Sequence, residues 1–198
     1  MGRPAVFLDR DGSMIRDVGY LNSVDQIDWF PWAIDAVRLL NRAGFVVCVV
    51  TNQGGIGLGL CDEPTVLRIH EAMDADLAAG GASIDGWYFC PHHPRAVVSD
   101  LRIDCDCRKP KPGLLRRACE IHEIDLGRSF VVGDKVSDVA LAGPVGARSV
   151  LVRTGYGEGE LKRCQGRIPE ATHVADDLMA ATSWILSRGA SAEMSESR

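Results

Sequence analysis

The chain has 198 residues, 46% of them hydrophobic, and a formal net charge of −5, a length that suits one domain with a full core. The acidic balance excludes a broad basic groove of the kind that tracks nucleic-acid phosphates. No apolar run approaches the roughly eighteen residues of a transmembrane helix. Residues 1–4 are too few to hold an apolar leader core, so a cytoplasmic protein is expected.

Residues 5–13 read AVFLDRDGS. The apolar run has the form of a buried parallel strand and stops at Asp9, Arg10, Asp11 and Gly12, at the rim where α/β sheets hold ligands. Alternate residues of an extended chain point the same way, so Asp9 and Asp11 can face one point beyond the strand. Two carboxylates that close call for a cation, and Mg²⁺, which takes oxygen ligands and accompanies phosphate, suits them. Alone, the same residues also read as an ordinary turn.

Residues 33–43 carry Ile34, Val37 and Leu40 at helical spacing, with Gly44 as a stop. Residues 45–52, FVVCVVTN, form a second buried strand ending in Thr51 and Asn52 ahead of Gln53, Gly54 and Gly55. A hydroxyl and free backbone N–H groups at that point make a phosphate cradle. Asp62 and Pro64 open a second helix whose Val66, Ile69, Met73 and Leu77 share a face. A strand over 86–90 leads into a proline-bearing loop.

Cys90, His92, Cys105 and Cys107 bracket that loop, 90–107. Three thiolates and an imidazole suit tetrahedral Zn²⁺, although the one-residue gaps are tighter than the usual two. A closed four-ligand site would be structural, clipping a loop that is costly to order. Buried thiols and a disulfide are the alternatives, the latter requiring an oxidising compartment. His93 could replace His92 as ligand or project toward a substrate.

Next come Arg108, Lys109 and Lys111, with Pro112 suiting the first turn of a helix over 112–122. Residues 129–138, SFVVGDKVSD, read as a third buried strand ending at Gly133, Asp134 and Lys135, with Asp138 close behind. A helix over 136–142, strands over 149–152 and 172–175 and a helix over 177–187 follow. Residues 188–198, small and polar, are expected to be disordered. Alternating strands and helices imply right-handed crossovers. The expected fold is therefore α/β: a Rossmann-like parallel sheet with helices on both faces, one domain over 1–187. Core elements and the zinc-clipped loop fill the gaps between Asp9, Thr51 and Lys109, so no separate cap domain is expected. Trp29 is read as a packing residue.

Together, the LDRDGS, VVTNQ, CRKPKP and VGDK stretches resemble the haloacid dehalogenase superfamily of phosphohydrolases, over about 5–152. The resemblance implies that Asp9 attacks phosphorus to give an aspartyl-phosphate and that Asp11 protonates the leaving oxygen and later deprotonates water. It also implies that Thr51 holds the phosphoryl group, that Lys109 neutralises it, and that Mg²⁺ is bound by Asp9, the main-chain carbonyl of Asp11, and Asp134. Ser13 stands where that family mostly has threonine. Such roles suit the chemistry, since phosphate monoester hydrolysis demands accelerations of up to ~10²¹ and a covalent intermediate divides the barrier.

With its Cys/His loop the chain is similar, within that superfamily, to the heptose 1,7-bisphosphate 7-phosphatases and less closely to histidinol-phosphate phosphatases. That implies a small phosphorylated sugar as substrate, in the synthesis of nucleotide-activated heptose for surface polysaccharide. It also implies a binding surface of Asp17, Gly19, Tyr20, Thr51, Asn52, Gln53, Gly54, Arg108, Lys109 and Lys135. Gly54 stands where that family often has serine. A monomer without membrane or nucleic-acid partners is expected. A signalling receiver domain, which also phosphorylates an aspartate beside Mg²⁺, is the alternative from another class, but a receiver gains nothing from Asp11. A non-catalytic phospholigand-binding module is a third reading.

Overall fold

The computed structural model describes residues 2–196, with side chains described through 188. Six strands form one sheet: β1 (Ala5–Leu8), β2 (Val46–Asn52), β3 (Gly86–Cys90), β4 (Phe130–Gly133), β5 (Arg148–Val152) and β6 (His173–Ala175). All pair in parallel, in the order β3-β2-β1-β4-β5-β6. β1 lies between β2 and β4, with Val6 in register with both Val47 and Phe130. The strand order reverses there, and ligands bind such sheets beyond the carboxyl ends of the strands at that point. Asp9 and Asp134 follow directly on β1 and β4.

Successive β1 side chains enter opposite layers, which is why its sequence is continuously apolar. Val6 and Leu8 pack with α1 (Ala33–Arg42) and α6 (Leu178–Glu196), whereas Ala5 and Phe7 meet Leu114, Leu115 and Ala118 of α3 (Gly113–Ile121). α2 (Glu63–Ala79) starts where Asp62 accepts a hydrogen bond from the Thr65 N–H at 2.9 Å. Its Ile69 and Met73 bury the segment after β1 through Ile15 and Leu21. Trp29 packs there as expected and donates its indole N–H to Asp76 at 2.8 Å.

Several boundaries differ from the sequence pattern. Pro112 caps α3 from outside rather than occupying its first turn. α4 spans only Val136–Val139, because the chain turns through Ala142 into a short 3₁₀ turn at Gly143–Val145. α5 (Gly157–Arg163) is a helix where two glycines give no helical signal; Glu158 pairs with Arg153 and Lys162 to support it. The backbone of α6 is helical to Glu196, beyond the point where composition suggests disorder. The side chains of 189–198 lie outside the described residues. Among the described residues no separate cap domain interrupts the sheet, and no helix is long and apolar enough to cross a membrane.

Candidate active site

Beyond the ends of β1, β2 and β4, a cleft of about 40 Å³ is lined by Asp9, Asp11, Thr51, Asn52, Lys109, Lys135, Ser137 and Asp138. Asp9 is buried, its backbone N–H bonded to Val132 at 2.8 Å. Lys109, equally buried, places its Nζ 2.7 Å from Asp9 Oδ1, 2.7 Å from Asp138 Oδ1 and 2.8 Å from the Val50 carbonyl. Two hydrogen bonds, to Asp9 and Val50, and the ion pair with Asp138 fix the lysine. Asn52 pins the Lys109 main chain at both ends: its Oδ1 accepts the N–H at 3.0 Å and its Nδ2 donates to the carbonyl at 3.3 Å. Expected as a substrate contact, Asn52 thus spends its amide on holding Lys109.

Asp134 is fully buried. Its Oδ2 accepts the Tyr156 N–H at 2.8 Å, while its Oδ1 has no hydrogen-bond partner and lies 3.7 Å from Lys135 Nζ. Gly12 is required by this carboxylate, since at φ 86° a Cβ there would come within 2.1 Å of Asp134 Oδ2. Asp138 accepts the Lys135 N–H at 3.0 Å. Carboxylate oxygens of Asp9, Asp134 and Asp138 lie within 4.8 Å of one another.

Burial pushes Asp9 up to about 6 against the pull of Lys109. Burial, followed by the Asp9 charge, pushes Asp134 up to about 8 despite Lys135. Against its burial, Asp138 and Asp9 hold Lys109 above the ordinary lysine range. A cluster of three buried acids is short of positive charge, and an orphaned Asp134 oxygen aimed into it fits a hard divalent cation. Asp138 was not assigned a role by the sequence, although its spacing from Asp134 was visible.

The carboxylate of Asp11 is not part of that triad. It turns instead into Arg10, whose Nε and Nη2 lie 3.2 and 3.0 Å from Oδ1, and into Gln53, whose Nε2 donates to Oδ2 at 3.0 Å. Gln53 also donates to Thr51 Oγ1 at 2.8 Å and accepts from Arg10 at 3.1 Å. Two expectations change here: Asp9 and Asp11 share the cleft without converging on one point, and Gln53 braces the network from a buried position instead of facing a substrate. Ser13 is buried, with no hydrogen-bond partner for its hydroxyl.

Asp17 Oδ2 meets Lys135 Nζ at 3.2 Å, and its Oδ1 accepts the Gly19 N–H at 2.7 Å, which shapes the loop carrying the half-exposed Tyr20. Lys135 also lies 4.6 Å above the ring of Tyr156, a residue absent from the sequence-based set. Arg108 donates to the His92 carbonyl at 2.8 Å and stands near Gly54. A larger cavity of about 500 Å³, which Arg102, Arg108 and Lys111 help to line, adjoins Lys109 but is lined by none of Asp9, Asp11, Asp134 and Asp138. Size therefore does not locate the chemistry.

The loop closes as its spacing suggests. Cys90 Sγ is 3.6 Å from Cys105 Sγ and 3.3 Å from Cys107 Sγ, and His92 Nδ1 is 3.5 and 3.2 Å from Cys90 and Cys107. All seven cysteines are unbridged. Ideal Zn²⁺ bonds give tetrahedral edges of about 3.5 to 3.8 Å, close to these values. His93 is not part of this group; its Nδ1 accepts the Arg95 N–H at 3.1 Å and its ring lies over Gly54.

Comparison with known proteins identifies the family. A family profile described as HAD-hydrolase-like matches residues 106–181. The D-glycero-beta-D-manno-heptose-1,7-bisphosphate 7-phosphatase of Yersinia pestis is 46% identical over 77% of this chain and 81% of its own. The Escherichia coli (strain K12) protein of that name is 43% identical over 87% of this chain and 86% of its own. Among solved structures, D,D-heptose 1,7-bisphosphate phosphatase from B. bronchiseptica, complexed with magnesium and phosphate, superposes with a TM-score of 0.83. It is 34% identical and covers 93% of this chain and 99% of its own. Identity at this level over most of both chains places the protein: it belongs to the D-glycero-D-manno-heptose 1,7-bisphosphate 7-phosphatase family of HAD-like phosphohydrolases.

Proposed function

We propose that this chain removes the 7-phosphate of D-glycero-D-manno-heptose 1,7-bisphosphate through a phosphorylated Asp9. The observation that carries the reading is Lys109 Nζ held 2.7 Å from both Asp9 and Asp138, beside the unpartnered Asp134 oxygen. Asp9, Asp134 and the main-chain carbonyl of Asp11 would hold Mg²⁺, with Asp138 close enough to take part. When bound, Mg²⁺ supplies the positive charge that keeps Asp9 ionised and offsets charge on the phosphoryl oxygens.

Asp9 Oδ attacks phosphorus in line with the sugar oxygen. The P–O bond to the sugar breaks as Asp11 gives that oxygen a proton. Lys109 and the Thr51 hydroxyl steady the equatorial oxygens while charge develops. Asp11, now a carboxylate, takes a proton from water, and the attacking oxygen releases phosphate and restores Asp9. A receiver-type switch has no use for that second step, and family membership removes it.

Cys90, His92, Cys105 and Cys107 would hold a structural Zn²⁺. Their four atoms close the set with no place left for water. Burial holds the Cys90 and Cys107 thiols above the ordinary range without a metal, so loading should release protons. Arg108 and Lys109 follow Cys107 directly, and the clip thereby fixes both. Lys135, Asp17, Tyr20, Gly19, Gly54 and Arg108 are assigned to the sugar and its second phosphate. Unbridged thiols suit a reducing cytoplasm, and the protein is taken as a monomer. Phosphate release from both heptose bisphosphate anomers, fructose bisphosphate and histidinol phosphate, compared by kcat/KM, tests the assignment. Preference for histidinol phosphate would replace it.

A further inference from the structure

Arg10 is 1% exposed, and its fork makes contacts beyond Asp11 and Gln53. Nη1 lies 3.3 Å from Nε2 of His70 on α2. Arginine only donates hydrogen bonds, so His70 Nε2 must accept and the ring proton sits on Nδ1. Burial, reinforced by the Arg10 charge, pushes His70 down to about 3, in keeping with a neutral ring. The imidazole stacks on Trp87 at 4.4 Å and meets the edge of Phe89 at 5.8 Å, so the direction of its lone pair is fixed. Nδ1 is buried with no partner. An unsatisfied buried donor is destabilising, which an apolar residue at this place would avoid.

We propose that His70 is a positioning residue for the acid–base carboxylate, aiming Asp11 through Arg10. The inference rests on the reading of Asp11 as proton donor. Asp11 and Gln53 hold the Nε and Nη2 side of the guanidinium, and His70 supplies the acceptor for Nη1 on the other side, so that both ends of the fork are anchored. Asp11 takes its aim from that fork, because Arg10 reaches both of its oxygens.

The test compares two esters in single turnovers of the full chain loaded with its metals, reading release of the leaving group before the Asp9 intermediate hydrolyses. The heptose alkoxide needs a proton to depart, whereas the phenolate of dinitrophenyl phosphate does not. His70→Phe keeps a ring against Trp87 and removes the acceptor. It should slow release from heptose bisphosphate about 10- to 100-fold and leave dinitrophenyl phosphate within about twofold. His70→Gln, which restores an acceptor, should recover most of the loss. Asp11→Asn is measured alongside. If Asp11→Asn slows only the sugar ester while His70→Phe slows both or neither, the role of His70 is overturned and that of Asp11 stands. If Asp11→Asn does not separate the esters, the proton-donor reading falls and the inference with it. Should His70→Phe fail to fold, ring-nitrogen NMR of the unaltered protein decides. A proton on Nδ1 with bare Nε2 from about pH 5 to 8 supports the proposal, and a proton on Nε2 overturns it.

Discussion

The carboxylate cleft and the Cys/His loop are both clusters of ligand side chains, assembled on opposite scales of chain. Asp9, Thr51 and Asp134 arrive at the ends of β1, β2 and β4, Lys109 comes from the segment ahead of α3 and Asp138 from α4, and the fold brings them together. Cys90, His92, Cys105 and Cys107 come from one segment, and their grouping holds the chain. The fold builds the first cluster and the second cluster builds its own loop. Damage to the first should therefore remove chemistry and spare the fold, while damage to the second should loosen structure and reach the chemistry only through Arg108 and Lys109.

The sharpest break in that contrast is Asp9→Asn. Turnover should fall on the order of 10⁴- to 10⁶-fold, and metal-free melting should be no lower, because one of three crowded buried acids loses its charge. Cys107→Ser tests the other side: elemental analysis should show lost zinc, proteolysis should cut within 90–107, and kcat/KM should fall by about 10²-fold through misplaced Lys109. Intact activity in a zinc-free variant would separate the two regions altogether.

A smaller effect is expected from Asn52→Ala. Losing both bonds to the Lys109 main chain should cost about 1–3 kcal/mol of stability and lower kcat more than it raises KM.

The acids also set a pH dependence. Asp9 and Asp134 sit at about 6 and about 8 in the folded chain, above their unfolded values near 3.8. The folded state therefore binds more protons in that window, and stability falls as pH rises from about 4 to about 8. Metal-free melting should decline across this range, and Mg²⁺ should raise it more at the upper end. A stability that climbed with pH without metal would contradict the charge deficit. The smallest effect belongs to Trp29→Phe, which loses the bond to Asp76: below about 1 kcal/mol, with activity unchanged.

Much of this was legible along the chain, because strand ends carry their own signal. The apolar runs before Asp9, Thr51 and Asp134 locate the rim, and the close spacing of Cys90, His92, Cys105 and Cys107 points to one ligand set. What stayed hidden depends on contacts across the fold. Nothing local ties Asp138 to Lys109, or turns Gln53 away from substrate toward Arg10. His70 sits on a helix face among Ile69 and Met73, and only the approach of Arg10 gives its ring a task. α5 was hidden by its glycines, which outweigh the local pairs of Glu158 with Lys162 and Glu160 with Arg163; only the pair with Arg153 depends on the fold.

The central claim is a bond from Asp9 to phosphorus, and the direct test is to stop turnover in acid and map the phosphorylated peptide by mass spectrometry. One added phosphoryl group on Asp9, absent from Asp9→Asn, is the predicted result. A phosphoryl group on another residue would contradict the account, as would full turnover with none trapped, even in an Asp11→Asn variant that slows its loss.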